Sequence, residues 1–524
     1  MRLSLLSILV PVLCASAADL TIELKDFASM PLTGAVDGPG NTAGLLARIN
    51  FLREEPGARH NRVFVNDLNG PLYIVDKATK KSTVYLDFNG LAGRSGIFHR
   101  LAMDQFLATG FISFEFDPDY ARNGKFYTIH LEDQMAAVSG VPDNKSFPGL
   151  RTAGYTVTPA IRTFGATQCE AVVIEWTDAN TSNTTFEGTA REIMRLQYSG
   201  RIHPMGDLAF NPAARPGDPD WRVMYIAAGD GGNGEQKTDV RANPQRLDML
   251  VGKILRIIPD LKAHTNSSTV SENGRYRIPN DNPFVSTAGA RKEIWAYGLR
   301  NPHRLTWDLD PANRASHLIA MVIGLATWET VDIIHKGGNY GYSEREGPQR
   351  LDSENRITSL PENDVIPLRI DATKTSGTVR PTYPVISYPH ARESGVIALA
   401  NGFVYRGKAI PELRGKFLFG DITSGRLWWS EMKEMLAADD GDPKTMAAMH
   451  DVKIAWNGET YPRMAPICEV AYHARGGKAE HLPGAERVPG GRSDIRLAMD
   501  ASGELYVMTK SDGVIRAVVG ATMR

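Results

Sequence analysis

Cysteine is nearly absent. Three occur in 524 residues, and Cys14 falls inside an apolar N-terminal stretch. That scarcity excludes a small disulfide-stapled scaffold, and without a Cys-x-x-Cys-His run there is no attachment point for a c-type haem. The two that remain, Cys169 and Cys468, leave two outcomes open in an oxidising compartment: a bridge closing a very long loop, or two separate buried thiols. An excess of one charge is also missing, since Lys plus Arg number 59 against 60 Asp plus Glu, a net charge of -1. Such a balance excludes a general pull toward nucleic acid or an anionic membrane, so any anion site must be local. No apolar run beyond the N-terminus is long enough to cross a bilayer. Low-complexity tracts are lacking and long amphipathic helical patterns are scarce, which argues against a disordered chain and against an all-helical one.

The N-terminus itself carries a three-part pattern. Arg2 supplies positive charge, Leu3 to Leu13 an apolar stretch, and Ala15-Ser16-Ala17 a small-residue cleavage site. The pattern predicts a secretory leader over residues 1–17 and an exported mature chain, periplasmic or extracellular, over 18–524.

Glycine (49) and proline (31) punctuate the chain, and between them one pattern recurs. Apolar-aromatic strands are expected at Gly70–Asp76, Gly124–His130, Arg222–Ala228, His317–Ile323, Gly415–Asp421 and Gly503–Thr509. A second alternating strand comes after each one, at Ser82–Leu86, Glu192–Leu196, Lys253–Ile257, Val331–Ile334, Arg426–Trp429 and Val514–Val518. Several copies are preceded by a strand ending in an acidic or amide turn, as in Phe114–Pro118, Leu208–Pro212, Leu305–Asp308 and Leu497–Asp500. Strand, turn, strand, turn, strand is the meander of a propeller blade, and six copies predict an all-β, six-bladed β-propeller. The uneven spacing predicts long insertions, at 134–187, 261–290 and 348–392. No strand remains after Val519 to finish the last blade, so Leu20–Leu24 is expected to close the ring.

Loops that enter the innermost strand of each blade converge on one mouth of the central channel. Just before such strands stand His203, the pair Arg300-Asn301, and Arg492. Each also has a plain structural use: His203 as a turn cap, Arg300-Asn301 as a bracket between blades. Asp230, in Gly229-Asp-Gly-Gly232, reads as a turn residue rather than a metal ligand. Trp428-Trp429 reads as blade packing rather than a sugar platform.

Six segments in order carry a resemblance: Ala227–Gly232, Leu250–Arg256, Glu293–Pro302, Lys336–Tyr342, Asn401–Arg406 and Gly420–Arg426. Together they resemble the glucose/sorbosone dehydrogenase family from about Phe111 to the C-terminus. The resemblance implies oxidation of the anomeric hydroxyl of an aldose-type sugar to the lactone, with pyrroloquinoline quinone and calcium as cofactors and an unidentified electron acceptor. It implies His203 as general base and Arg300 polarising the quinone oxygen, with Asn301 hydrogen-bonding beside it. Arg492 would pair with a cofactor carboxylate, and the main-chain oxygens of Gly324 and Leu325 would hold calcium. This chain departs from the family pattern in several places. Ala108-Thr109 stand where the family has a glutamine, Ile202 where it has an aspartate, and Thr423 where glucose-oxidising members have a lysine. The loop Val322–Glu329 is less acidic. These departures keep an alternative open, a non-catalytic propeller of the same family that binds protein or glycan. A calcium-dependent lactonase is a weaker third, because no cluster of carboxylates can be assembled on inner strands.

Overall fold

Phe126 and Trp176 show how this sequence builds a blade. They lie directly opposite on neighbouring antiparallel strands, and their rings stack with centroids 5.9 Å apart. Alternate residues of each strand turn the same way, so one face of the blade becomes a continuous aromatic surface. The next blade covers it: Phe116 meets Phe64 edge-on at 5.0 Å, and Phe186 meets Tyr85 at 5.8 Å. The same device joins later blades, with Tyr225 against Trp307 at 5.3 Å and Tyr388 against Trp428 at 5.0 Å. Each such pair contributes about 0.5–1.5 kcal/mol beyond the area it buries.

A computed structural model describes residues 19–33, 47–57, 60–89, 96–103, 109–477, 482–483 and 490–524. Among the described residues the fold is six blades of four main strands, with a short fifth strand, Leu150–Arg151, added outside blade 2. From the axis outward, blade 1 is Ile49–Glu54, Arg62–Asp67, Pro71–Asp76 and Ser82–Asp87. Blade 2 is Phe111–Phe116, Lys125–Glu132, Cys169–Asp178 and Gly188–Tyr198. Blade 3 is Met205–Phe210, Met224–Ala228, Lys253–Ile257 and Ile294–Tyr297, and blade 4 is Asn301–Leu309, Ser316–Ile323, Trp328–Ile333 and Ile386–Pro389. Blade 5 is Leu399–Val404, Lys416–Asp421, Leu427–Glu431 and His450–Trp456. Blade 6 is Ile495–Met499, Leu505–Thr509, Val514–Met523 and, outermost, Leu20–Ser29. The innermost strands touch in sequence around the ring, and that of blade 6 returns to that of blade 1.

The expected closure by the N-terminal strand is present. Leu20, Ile22 and Leu24 alternate into the core and pair antiparallel with Met523, Ala521 and Val518. The same strand also runs parallel to Val452–Ala455 of blade 5, which joins blades 5 and 6 into one sheet. Residues of the expected leader, 1–17, lie outside the described residues. Among the described residues, no helix is long and apolar enough to cross a membrane.

Four sequence expectations need correction. Gly70–Asp76 holds the third strand of blade 1, not the second, and Glu192–Leu196 lies on the outermost strand of blade 2. The segment 134–187 is not all insertion, because Cys169–Asp178 is the third strand of blade 2. Likewise 348–392 contains the outer strand of blade 4, Ile386–Pro389. All strands buried on both faces carry similar apolar runs, so periodicity does not say which position in a blade a strand occupies. Of the two outcomes open to the cysteines, the second holds: Cys169 and Cys468 are separate buried thiols in two different core clusters.

Candidate functional site at the channel mouth

The mouth of the channel is built by hairpin register. In blade 3, Met205 of the inner strand pairs with Ala228 of the second. Carrying that pairing two residues outward sets His203 opposite Asp230. The loop is tight: Gly231 N–H donates to His203 O at 3.0 Å and Gly229 N–H to Pro204 O at 3.1 Å. A Cβ on Gly229 would collide with His203 O, so only glycine lets the two segments approach. His203 itself takes a left-handed backbone, φ 50°.

The result is a histidine–carboxylate pair. His203 Nδ1 lies 2.9 Å from Asp230 Oδ1. Asp230 also accepts from Gly232 N–H at 2.9 Å and Gly234 N–H at 2.8 Å, which fixes its carboxylate. Accepting three donors suits an ionised group, so the proton of this contact belongs to His203 Nδ1 and its Nε2 carries the lone pair. Among the described residues Nε2 makes no hydrogen bond. Burial, then the positive charge of Arg300, holds the His203 pKa below its usual value, while Asp230 opposes them. Burial pushes Asp230 upward, but His203, Arg300 and the Gly234 amide outweigh it and leave the carboxyl below its usual range. The pair is therefore a neutral imidazole beside a carboxylate near neutral pH.

Arg300 belongs to the same cluster. Its carbonyl accepts from Asp230 N–H at 2.8 Å, and its guanidinium donates to Glu235 at 2.9 Å. Nη1 also donates to Ile323 O at 3.2 Å and to Gly324 O. Among the described residues its buried Nε has no hydrogen-bond partner, and neither has the buried hydroxyl of neighbouring Tyr342. Asn301 comes next, at the start of the blade 4 inner strand, paired with Ile323, and among the described residues its carboxamide makes no hydrogen bond. The structure thus brings His203, Arg300 and Asn301 to one place. Arg492 lies elsewhere on the rim, before the inner strand of blade 6, and donates to Asp494 at 2.8 Å. Thr423 is buried, and its hydroxyl finds no partner among the described residues. Ala108 lies outside the described residues, whereas Thr109 is buried. Trp428 and Trp429 are buried in blade packing, as their sequence context suggested.

Quinone and calcium fare differently at this mouth. The unpartnered Arg300 Nε and the unengaged Asn301 carboxamide match an anionic, carbonyl-rich quinone in chemical kind. The calcium site expected at Gly324 and Leu325 does not fit. Gly324 O already accepts from the Arg300 guanidinium. The amides of Leu325, Ala326, Thr327 and Trp328 all turn onto one oxygen of Glu346, at 2.8, 2.8, 2.9 and 3.2 Å. Such a loop is shaped around a carboxylate and capped by a cation, the reverse of a metal's needs. Among the described residues no group of three or more acidic, histidine or cysteine side chains gathers to hold a metal.

Asp230 as the histidine's partner, Glu235 and Glu346 were not anticipated from sequence. Asp230 had a usable signal, because residues flanking a hairpin at equal distance must face each other.

Residues 58–462 match the family described as Glucose / Sorbosone dehydrogenase. Among curated proteins, the chain is 28% identical over 335 residues to "HIPL1 protein" of Arabidopsis thaliana, covering 61% of this chain and 43% of that one. It is 33% identical over 119 residues to "Aldose sugar dehydrogenase YliI" of Escherichia coli strain K12, covering 23% of this chain and 25% of that one. Against human "Hedgehog-interacting protein" the identity is 24% over 382 residues, covering 71% and 42%. The chain spans less than half the length of these relatives. Of solved structures, the PQQ-bound form of aldose sugar dehydrogenase from Streptomyces coelicolor superposes with a TM-score of 0.50 at 15% identity, covering 97% of this chain and 98% of that one. That likeness is one of fold.

Proposed function

The chain belongs to the glucose/sorbosone dehydrogenase family, and we propose that it is an exported oxidoreductase that oxidises the anomeric hydroxyl of an aldose-type sugar to the lactone. The single observation that carries this reading is the His203–Asp230 pair, 2.9 Å apart, with Arg300 beside it. A base that abstracts a hydroxyl proton must be neutral at working pH and must present its lone pair to the substrate. His203 meets both conditions, because Asp230 fixes the Nδ1–H tautomer and leaves Nε2 to accept. As the proton arrives, the Asp230 carboxylate stabilises the imidazolium. The positive charge of Arg300, 7% exposed, stands next to this base and stabilises negative charge on a bound oxygen. Pyrroloquinoline quinone, the cofactor this reading requires, supplies the two-electron acceptor chemistry when bound. Arg300 and Asn301 would hold it near the base, and Arg492 would meet a carboxylate from across the rim. This reading assigns calcium no role, because Gly324 O already accepts from the Arg300 guanidinium.

The test has two readouts. Titration with the quinone, followed by its visible absorption, should saturate, and an aldose panel should then reduce an acceptor dye. His203→Ala should lose turnover by about 10²–10⁴-fold while quinone binding persists. No saturable binding together with no turnover would remove the proposal.

A second reading has its own observation. Arg300 is committed to Glu235 and Gly324, and Thr423 stands where a lysine would reach the cofactor. A mouth whose cation is internally satisfied suits a non-catalytic propeller that binds protein or glycan. This reading expects the quinone titration to fail while a glycan or protein ligand still binds.

A further inference from the structure

The end of the propeller away from the mouth carries a motif that the chemistry of the mouth does not use. Asn266-Ser267-Ser268 is an Asn-x-Ser triplet without proline at its centre, the acceptor pattern for an N-linked glycan in an exported chain. The same pattern occurs at Asn144-Lys145-Ser146, Asn180-Thr181-Ser182 and Asn183-Thr184-Thr185. A bulky, water-loving substituent on a folded protein also needs a carboxamide free of other work and open solvent beyond it. The structure separates the four triplets on those two conditions.

Register places Asn266. Met205 is at the mouth end of the first strand of blade 3 and Phe210 at its far end. Phe210 pairs with Met224, and Met224 with Ile257. The chain therefore leaves the third strand on the far side, and the segment that follows is held there. His264 Nε2 lies 2.8 Å from Trp221 O, in the connection between the first two strands of the blade. Asn266 is exposed in a turn just beyond His264, whose backbone is left-handed at φ 51°. Among the described residues its carboxamide makes no hydrogen bond. The Ser267 and Ser268 hydroxyls instead donate to His264 O, at 3.5 and 2.6 Å. The same excursion leaves Leu261 and Val270 exposed, at 37% and 47%, and so offers apolar surface to the first sugars of an attached chain.

At the other triplets the side chain already serves the fold. Asn144 Nδ2 donates to Leu150 O at 2.9 Å and Asn183 Nδ2 to Glu187 at 2.8 Å. Asn180 Oδ1 accepts from the hydroxyl of its own triplet, Ser182, at 2.7 Å. All three asparagines are partly buried.

We propose that Asn266 carries an N-linked oligosaccharide. The proposal rests on the export of the chain in the reading above, through a compartment that holds the transferase. In the transfer, Asn266 Nδ2 bonds to the anomeric carbon of an oligosaccharide carried on a lipid pyrophosphate. The bond from that carbon to the pyrophosphate oxygen breaks, the lipid pyrophosphate leaves with the electron pair, and one amide proton passes to solvent. Nothing is oxidised or reduced. The glycan stands at the opposite end of blade 3 from His203 and leaves the mouth open to substrate.

The experiment produces the full chain in a eukaryotic secretory host, once with its own N-terminus and once behind a host leader. Peptide N-glycosidase in heavy-oxygen water converts each occupied asparagine to a labelled aspartate, which peptide mass spectrometry locates. Asn266 should be labelled in both products. Asn266→Gln should lose the mass of one glycan while quinone titration stays as in wild type. Label behind the host leader alone would support the acceptor site and refute export by the chain's own N-terminus. An unlabelled Asn266 in the exported protein, or label confined to Asn144, Asn180 or Asn183, would overturn the proposal.

Discussion

Replacing Asp230 by Asn isolates the charge of the histidine's partner while keeping its shape. Asp230 Oδ1 faces two donors, His203 Nδ1 and Gly232 N–H, whereas Oδ2 faces one, Gly234 N–H. The asparagine NH2 therefore settles on the Gly234 side, where it meets one donor rather than two. His203 keeps its Nδ1–H tautomer, and the geometric penalty is one unsatisfied amide, about 1–3 kcal/mol of stability. What disappears is the negative charge that stabilises the imidazolium. Unit charges about 4 Å apart interact by roughly 4 kcal/mol at an effective dielectric of 20. At about 1.4 kcal/mol per tenfold, kcat/KM should fall by about 10²–10³. The substitution should also lower the His203 pKa further, because Asp230 raises it more than Glu235 does. The assay is kcat/KM against pH with quinone and an aldose, beside nitrogen NMR of the His203 ring. In wild type the acid limb should lie below the ordinary histidine value of about 6.5, with activity rising as pH climbs through it. In Asp230→Asn that limb should move lower still. Unchanged kcat/KM, or a wild-type ring protonated on Nε2, would refute the assignment of Asp230 as the positioning residue.

The same geometry sets two more outcomes. Because Gly324 O is held by Arg300 and the adjacent amides by Glu346, a chelator should leave quinone binding and turnover unchanged; loss on chelation with recovery on added calcium would sink this. Asp332 is buried with Thr330 as its hydrogen-bond donor, and burial pushes its pKa up to about 7. The folded state therefore binds its proton more tightly than the unfolded chain, so stability is lost as pH rises from about 4 through 7. Asp332→Asn should raise Tm at pH 8, by at most roughly 4 kcal/mol of stability, and leave it nearly unchanged at pH 4; an equal gain at both pH values would refute the cause.

The repeat was legible because blade strands are short, apolar and evenly punctuated, and the missing last strand pointed to the N-terminal one. Leu20, Ile22 and Leu24 fulfil that expectation by alternating inward. Strand order within a blade was not legible. Pro71–Asp76 and Lys125–Glu132 look alike in composition yet occupy the third and second positions, because both are buried on two faces. The mouth residues His203, Arg300 and Asn301 were legible through connectivity alone, since every loop entering an inner strand reaches the same rim. Their partners were not. Glu346 finds Leu325 from the insertion between the third and outermost strands of blade 4, and no local spacing encodes that meeting.

These contacts give the mouth and the channel one electrostatic logic. In both places arginines from different inner strands converge because ring closure brings every blade's first strand to the axis. At the mouth carboxylates answer them, Arg300 with Glu235 and Arg492 with Asp494. Deeper in, Arg53 has Asp207 and Glu115, while among the described residues Arg304 hydrogen-bonds only a carboxamide and a carbonyl. A chain with a net charge of -1 has no general excess with which to offset that guanidinium, and at about 8–10 Å the screening of distant charges makes neighbours decisive.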